Sequence, residues 1–312
     1  MPHFNSHSSR RYLQLLKSTF LITLMATLML WTSCEYSAKG TNSKNSPLNV
    51  TNDLYSKTTH VSISPTDTTL QQRVTPPPRY VRDATGQGTF LHYSRQLALK
   101  AHGAKVLLYN SQEKANQQVH VAVLDQYIGE RDLHQCADAA IRIKADYLRS
   151  VGRTGNIEFQ LTNGHQVAYS KWRQGYRILI DGNKTKWVKS VAASDSDDSY
   201  WQYLELIFMY AGTASLAAEL TRTSTTEPEA GDLLLKGGYP GHAVLIIDEA
   251  VHTTTGEKLY LLAQSYMPAQ EMHILKNPSD KALSPWYRLS PNGGVQTPEW
   301  GFEHNQLYKF ID

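Results

Sequence analysis

The stretch Gly231-Asp-Leu-Leu-Leu-Lys-Gly-Gly-Tyr-Pro-Gly-His-Ala-Val-Leu-Ile-Ile-Asp248 decides the fold class. It holds two apolar runs, 232–235 and 242–248, separated by three glycines and a proline. Short apolar runs bounded by turn formers read as strands, with Gly237, Gly238 and Gly241 making the turn between them. A phosphate cradle needs a helix directly after its glycines, and here a strand follows. A third run at 259–263 completes a sheet-forming region, and the C-terminal segment beyond it is aromatic and proline-marked.

Working back from this region, 200–220 predicts a helix weakened around Gly212. Strands at 157–161 and 166–170 enclose the turn Thr162-Asn-Gly-His165. Residues 132–150 predict a helix with Asp132 as N-cap, Gly152 just past its end, and Leu133, Cys136, Ala137, Ala140, Tyr147 and Val151 on one face. Cys136 then sits one turn inside. Strands at 105–109 and 119–124 precede this helix, and 90–99 has helical or mixed spacing. Helices and strands follow one another without a βαβ rhythm, which points to a single α+β domain over 79–312.

The other end of the chain carries an address. Arg10, Arg11 and Lys17 precede an uncharged, largely apolar run of about 14 residues from Ser18 to Trp31, closed by Thr32, Ser33 and Cys34. That is short of the roughly 20 residues of a spanning helix and has the three parts of an export signal, 1–33. The small residues before Cys34 resemble a lipobox, whose cysteine carries lipid. Ser9-Arg-Arg-Tyr-Leu13 also resembles a twin-arginine signal. From Cys34 to Pro78 the chain is rich in Ser, Thr, Asn and Lys and reads as a linker without enough apolar surface to fold. The formal charge of +3 is matched by Arg10, Arg11 and Lys17, so the chain beyond the signal is neutral. Net charge gives no reason to expect a nucleic-acid partner. With Cys34 lipidated, Cys136 has no disulfide partner within the chain.

Four segments, Asp132-Leu-His-Gln-Cys-Ala-Asp-Ala-Ala-Ile-Arg142, Tyr210-Ala-Gly-Thr-Ala-Ser-Leu216, Gly231-Asp-Leu with Pro240-Gly-His-Ala-Val244, and Leu262-Ala-Gln-Ser-Tyr-Met-Pro-Ala-Gln270, together resemble the bacterial lipoproteins of domain of unknown function 4846 (DUF4846). The resemblance covers roughly 90–310 and implies one domain and a cell-envelope location, with a lipid anchor in a bacterial membrane. A second resemblance is to the CHAP and NlpC-type cysteine amidases. It rests on a cysteine near a helix start, then Gly231-Asp-Leu-Leu-Leu, then Gly241-His-Ala-Val-Leu-Ile-Ile opening a strand, then a polar residue on the next strand. It implies a papain-like arrangement, a helix packed on an antiparallel sheet with additional N- and C-terminal elements. Cys136 would be the nucleophile, His242 the base and Gln264 the orienting side chain, acting on cell-wall peptide or an envelope protein. Gly182-Asn183 with Trp187 echoes a further CHAP stretch. In those families the cysteine lies at the first helical position, and Cys136 as read here lies deeper.

The same residues have plainer readings. Cys136 beside Ala137 and Ala140 is also a small buried hydrophobe, His242 a strand-opening residue bonded to a carbonyl, and Gln264 a satisfied core amide. Trp172, Tyr176, Trp187, Tyr200, Trp201 and Tyr203 either line a glycan groove or pack the core. Asp195-Ser-Asp-Asp198 is calcium-like in composition but lacks the loop glycine and terminal glutamate. No histidine pair or cysteine cluster has metal-ligand spacing, and no cofactor motif is present. Two function classes follow: a cysteine amidase or peptidase, and a non-catalytic envelope lipoprotein that binds a peptide, glycan or protein partner.

Overall fold

The computed structural model describes residues 61–223, 228–290 and 293–310. The export signal 1–33, Cys34 and most of the expected linker lie outside the described residues. The fold is mixed α and β, built around an antiparallel sheet.

The apolar run opened by His242 becomes β9 (His242–His252), the axis of that sheet. Its residues 243–247 are apolar without interruption because both faces of the strand are covered there. Ala243, Leu245 and Ile247 join the helices in one buried cluster. Val244 and Ile246 pack on the other side with Tyr260, Leu262, Phe302 and Leu307. Among the described residues the sheet has nine strands. Its order is β2 (His120–Val123), β11 (His273–Leu275), β10 (Lys258–Gln264), β9, β8 (Leu233–Lys236), β15 (Leu307–Lys309) and β7 (Thr221–Arg222). In addition, β1 (Tyr80–Val81) pairs with the far end of β9 and β12 (Trp286–Tyr287) with β10. The register sets His242 opposite Lys236 and Gln264 opposite His273. It slips by one residue at Ile247, where Leu261 faces Asp248 and Leu262 faces Ile246, as a β-bulge requires.

Helix α3 (Cys136–Ser150) packs on β9 through a face of small and branched residues, among them Ala137, Ala140 and Ile141. Its cap is Gln135, three residues later than the sequence reading placed it. Gln135 is extended, with φ −88° and ψ −165°, and its N–H donates to Asp138 Oδ2 at 3.0 Å. Asp132, the expected cap, instead accepts from the Ala269 N–H at 2.6 Å and from Gln135 Nε2 at 3.1 Å. The helix expected over 200–220 is two: α5 (Asp197–Tyr210) and α6 (Thr213–Glu219), parted by extended Ala211 and Gly212. The strand expected at 105–109 is not formed. Leu107 and Leu108 make isolated bridges to Glu113 and Gln270 only.

The linker expectation also needs correction over its last part. Residues 61–78 carry α1 (Leu70–Arg73), with Leu70 and Val74 fully buried. This segment reaches the sheet by way of α2 (Phe90–Arg95) and a buried ion cluster in which Arg82 Nε and Arg95 Nε lie 2.7 and 2.8 Å from the two oxygens of Asp248. Composition hid this, because two buried aliphatic residues and two arginines anchor an otherwise polar stretch.

Candidate functional site

Three elements meet where β9 begins. Gly241 just before it is held tightly. A Cβ there would lie 2.3 Å from Gly238 O and 2.3 Å from Thr213 Oγ1 of α6. Only glycine lets the turn close against α6, and that closure fixes the position from which His242 leaves the turn.

Cys136 is the first helical residue of α3, not a residue one turn inside. The unclaimed N–H groups of a helix start face this position. The residue is buried, with 8% of its surface exposed. Burial pushes the thiol up to about 11; the Ala243 N–H opposes the rise, the Asp138 carboxylate adds to it, and the N–H groups of Ala137 and of Cys136 itself oppose it. Cys136 and Ala243, the residue next to His242, belong to one buried cluster. Among the described residues no hydrogen bond joins the thiol to the imidazole ring itself.

His242 and Gln264 are brought together. His242 Nε2 lies 2.9 Å from Gln264 Oε1, both residues being buried. The imidazole is walled by the rings of Tyr266, Trp300 and Phe302, with centroids at 4.8, 5.2 and 5.9 Å. Burial lowers its pKa to about 4, partly offset by the Gln264 hydrogen bond and reinforced by the charge of Lys114. At neutral pH the resting pair is a neutral thiol and a neutral imidazole.

Sequence reasoning missed the layer behind this pair. Gln264 Nε2 donates to Glu299 Oε2 at 2.8 Å, and Glu299 Oε1 forms an ion pair with Lys114 Nζ at 2.7 Å. The Lys114 ammonium also stands 5.2 Å from the centre of the Tyr266 ring. Glu299 and Trp300 come from the loop before β14 (Gly301–Phe302), which pairs with β13 (Val295–Gln296). An acidic residue inside Pro298-Glu-Trp-Gly-Phe302 is the one local signal that pointed to this layer; nothing in the sequence around Lys114 marks it.

Other expected site features resolve into structure. Gly182 and Asn183 form the turn of a hairpin, β5 (Tyr176–Asp181) and β6 (Lys184–Lys189), with Gly182 at φ +58°. The Trp187 ring lies tilted against His165 there, with centroids 6.1 Å apart. Trp172, Tyr200 and Tyr203 are buried core, with Trp172 Nε1 donating to Ser199 O and Tyr203 Oη to Val167 O. Ser196 caps α5 through the Ser199 N–H, and Asp195 accepts from Tyr169 and Arg173. Among the described residues no group of three or more His, Cys, Asp or Glu side chains is placed to hold a metal ion, and no helix is long and apolar enough to cross a membrane. A cavity of about 540 Å³ opens elsewhere, between Phe90, Lys144, Asp232 and Lys309, and neither Cys136 nor His242 lines it.

The model of a family described as a domain of unknown function (4846) matches residues 70–309. No curated protein and no solved structure matches the chain.

Proposed function

We propose, from the premise that this chain belongs to the DUF4846 family, that it is a cysteine amidase or peptidase of papain-like type, acting on peptide amides of the cell wall or of an envelope protein. The observation that carries this reading is the convergence at the start of β9. The His242 ring is anchored through Nε2 to Gln264, and Cys136, at the first position of α3, shares a buried cluster with Ala243, the very next residue of β9. A nucleophile, a base and an orienting amide on three packed core elements, α3, β9 and β10, form the constellation that nucleophilic catalysis needs.

With Nε2 committed to Gln264, Nδ1 is the nitrogen available to the thiol. As sulfur attacks the amide carbonyl, the thiol proton passes to Nδ1 and a C–S bond forms. The imidazolium then returns the proton to the leaving amine as the C–N bond breaks, leaving a thioester. Water adds to the thioester, giving a proton to His242, and expulsion of sulfur restores the thiol and releases the carboxylic acid. Catalytic hydrogen bonds in unliganded sites are often long and tighten with substrate, so the unjoined thiol and imidazole fit this sequence of steps.

The burial and neutrality of the pair favour a second reading, a non-catalytic scaffold that binds a peptide, glycan or protein partner. Iodoacetamide labelling of the folded chain, read by intact mass, separates the two. A hydrolase modifies at Cys136 without denaturant and slows about tenfold or more in His242→Ala. Labelling only after unfolding removes the hydrolase and leaves the scaffold.

We further infer a cell-envelope location through lipid on Cys34. The basic, apolar and small-residue order before that cysteine supports it. Cys34→Ala is expected to move the protein from the membrane fraction to the soluble one, and continued membrane retention would remove the lipid anchor from the account.

A further inference from the structure

We propose that Glu299, held by Lys114, is a positioning residue that sets the tautomer of His242 through Gln264. The inference rests on the hydrolase reading for its purpose, but its physical content stands apart from it.

A primary amide presents an oxygen and an NH2 group of nearly the same shape, so geometry alone does not choose which end faces a neighbour. Hydrogen-bond polarity does. A carboxylate has no proton to donate, and Glu299 is paired with the Lys114 ammonium at 2.7 Å, with the side chains of the two residues 14% and 7% exposed. The end of Gln264 that lies 2.8 Å from Glu299 Oε2 must therefore be the NH2. The other end, 2.9 Å from His242 Nε2, must be the oxygen. An oxygen only accepts, so Nε2 carries the proton. In a neutral imidazole this leaves the lone pair on Nδ1, the form able to take a proton from a thiol.

Without a fixed acceptor at position 299 the relay has no direction. A glutamine there both donates and accepts, so Gln264 is free to turn over and accept its proton from residue 299, presenting NH2 to His242. The ring then carries its proton on Nδ1 and has no basic nitrogen for Cys136. Lys114 is the fixed end of the same chain, because its ammonium donates only.

The test is nitrogen NMR of the full chain with ¹⁵N-labelled histidine, the His242 signals being identified by their loss in His242→Asn. In the wild-type protein one tautomer is expected, protonated at Nε2. A wild-type ring protonated at Nδ1, or an even mixture, overturns the proposal with no variant needed. Glu299→Gln is expected to populate the second tautomer and to slow Cys136 alkylation about threefold to tenfold, while Glu299→Asp, which still only accepts, recovers part of both. An unchanged single tautomer in Glu299→Gln overturns the positioning role. The two readings fail differently. A locked tautomer beside an inert Cys136 keeps the positioning and removes the hydrolase. A reactive, His242-dependent Cys136 whose tautomer ignores residue 299 does the reverse.

Discussion

Asp138 shows how one side chain acts on both the helix and the thiol. Its Oδ2 accepts the Gln135 N–H and so helps to start α3 at Cys136, while Oδ1 is buried with no partner among the described residues. Burial raises this carboxyl well above its usual range, with the N–H groups of Gln135 and of Asp138 itself pulling the other way. The charge also adds to the rise in the thiol. A carboxyl whose pKa is raised on folding contributes stability that is fully present below the unfolded value of about 3.9 and is lost as pH rises through the folded one. Asp138→Asn keeps an accepting oxygen and removes the charge. Its melting temperature relative to the wild type is therefore expected to move in the variant's favour as pH rises above about 4. The same change is expected to raise the rate of Cys136 alkylation near pH 8 roughly threefold, read by mass spectrometry across a pH series. A melting difference that is flat with pH would mean that the carboxyl is not perturbed, and an unchanged alkylation rate that its charge does not reach the sulfur.

At the scale of elements, what was legible in the sequence was local, and what was hidden was held from far away. The two strands that carry the candidate site were readable because their apolar runs are bounded by Gly, Pro and polar residues, and His242 and Gln264 stand at an end of each. The start of α3 was misplaced because Asp132 is a good cap by type. Its carboxylate is drawn away by the Ala269 N–H, 137 positions along the chain, and no local pattern encodes such a contact. That displacement matters to the chemistry, since it puts Cys136 at the first helical position, where N–H groups face the sulfur. The break between α5 and α6 was visible in Gly212, but the reason to stop there is packing: Gly241 closes directly against Thr213. Gly182-Asn183 was read as a motif when it is hairpin chemistry, a glycine at positive φ between two pairing strands. Glu299 lies 35 positions from the amide it holds, in a segment with neither helical nor strand period.

At the scale of the whole molecule, β9 ties the candidate site to the N-terminal part of the domain. It opens with His242 and, past the bulge, presents fully buried Asp248 to Arg82 and Arg95. Arg82 in turn donates to Gln71 O at 3.0 Å and Val74 O at 2.6 Å, so the segment expected to be linker completes the coordination of a half-buried guanidinium. Thr75 O accepts the indole N–H of Trp286 at 2.9 Å, and Leu70 N and Thr68 O bond across to Leu97 and Leu99. A chain beginning at Arg79 would lose these acceptors and uncover the apolar surface that Leu70 and Val74 bury. Each buried group left without its partner costs about 1–3 kcal/mol, and each buried aliphatic side chain contributes about 1.5–3 kcal/mol. The sum is on the order of 5 kcal/mol or more, a large part of the roughly 5–15 kcal/mol that holds a domain together. Urea unfolding is therefore expected to show a far lower midpoint for a chain starting at residue 79 than for one starting at 61, with the loss extending to β9 and the His242 environment. Equal midpoints would mean that 61–78 is only a tether and that the clamp on Asp248 is closed by Arg82 and Arg95 alone.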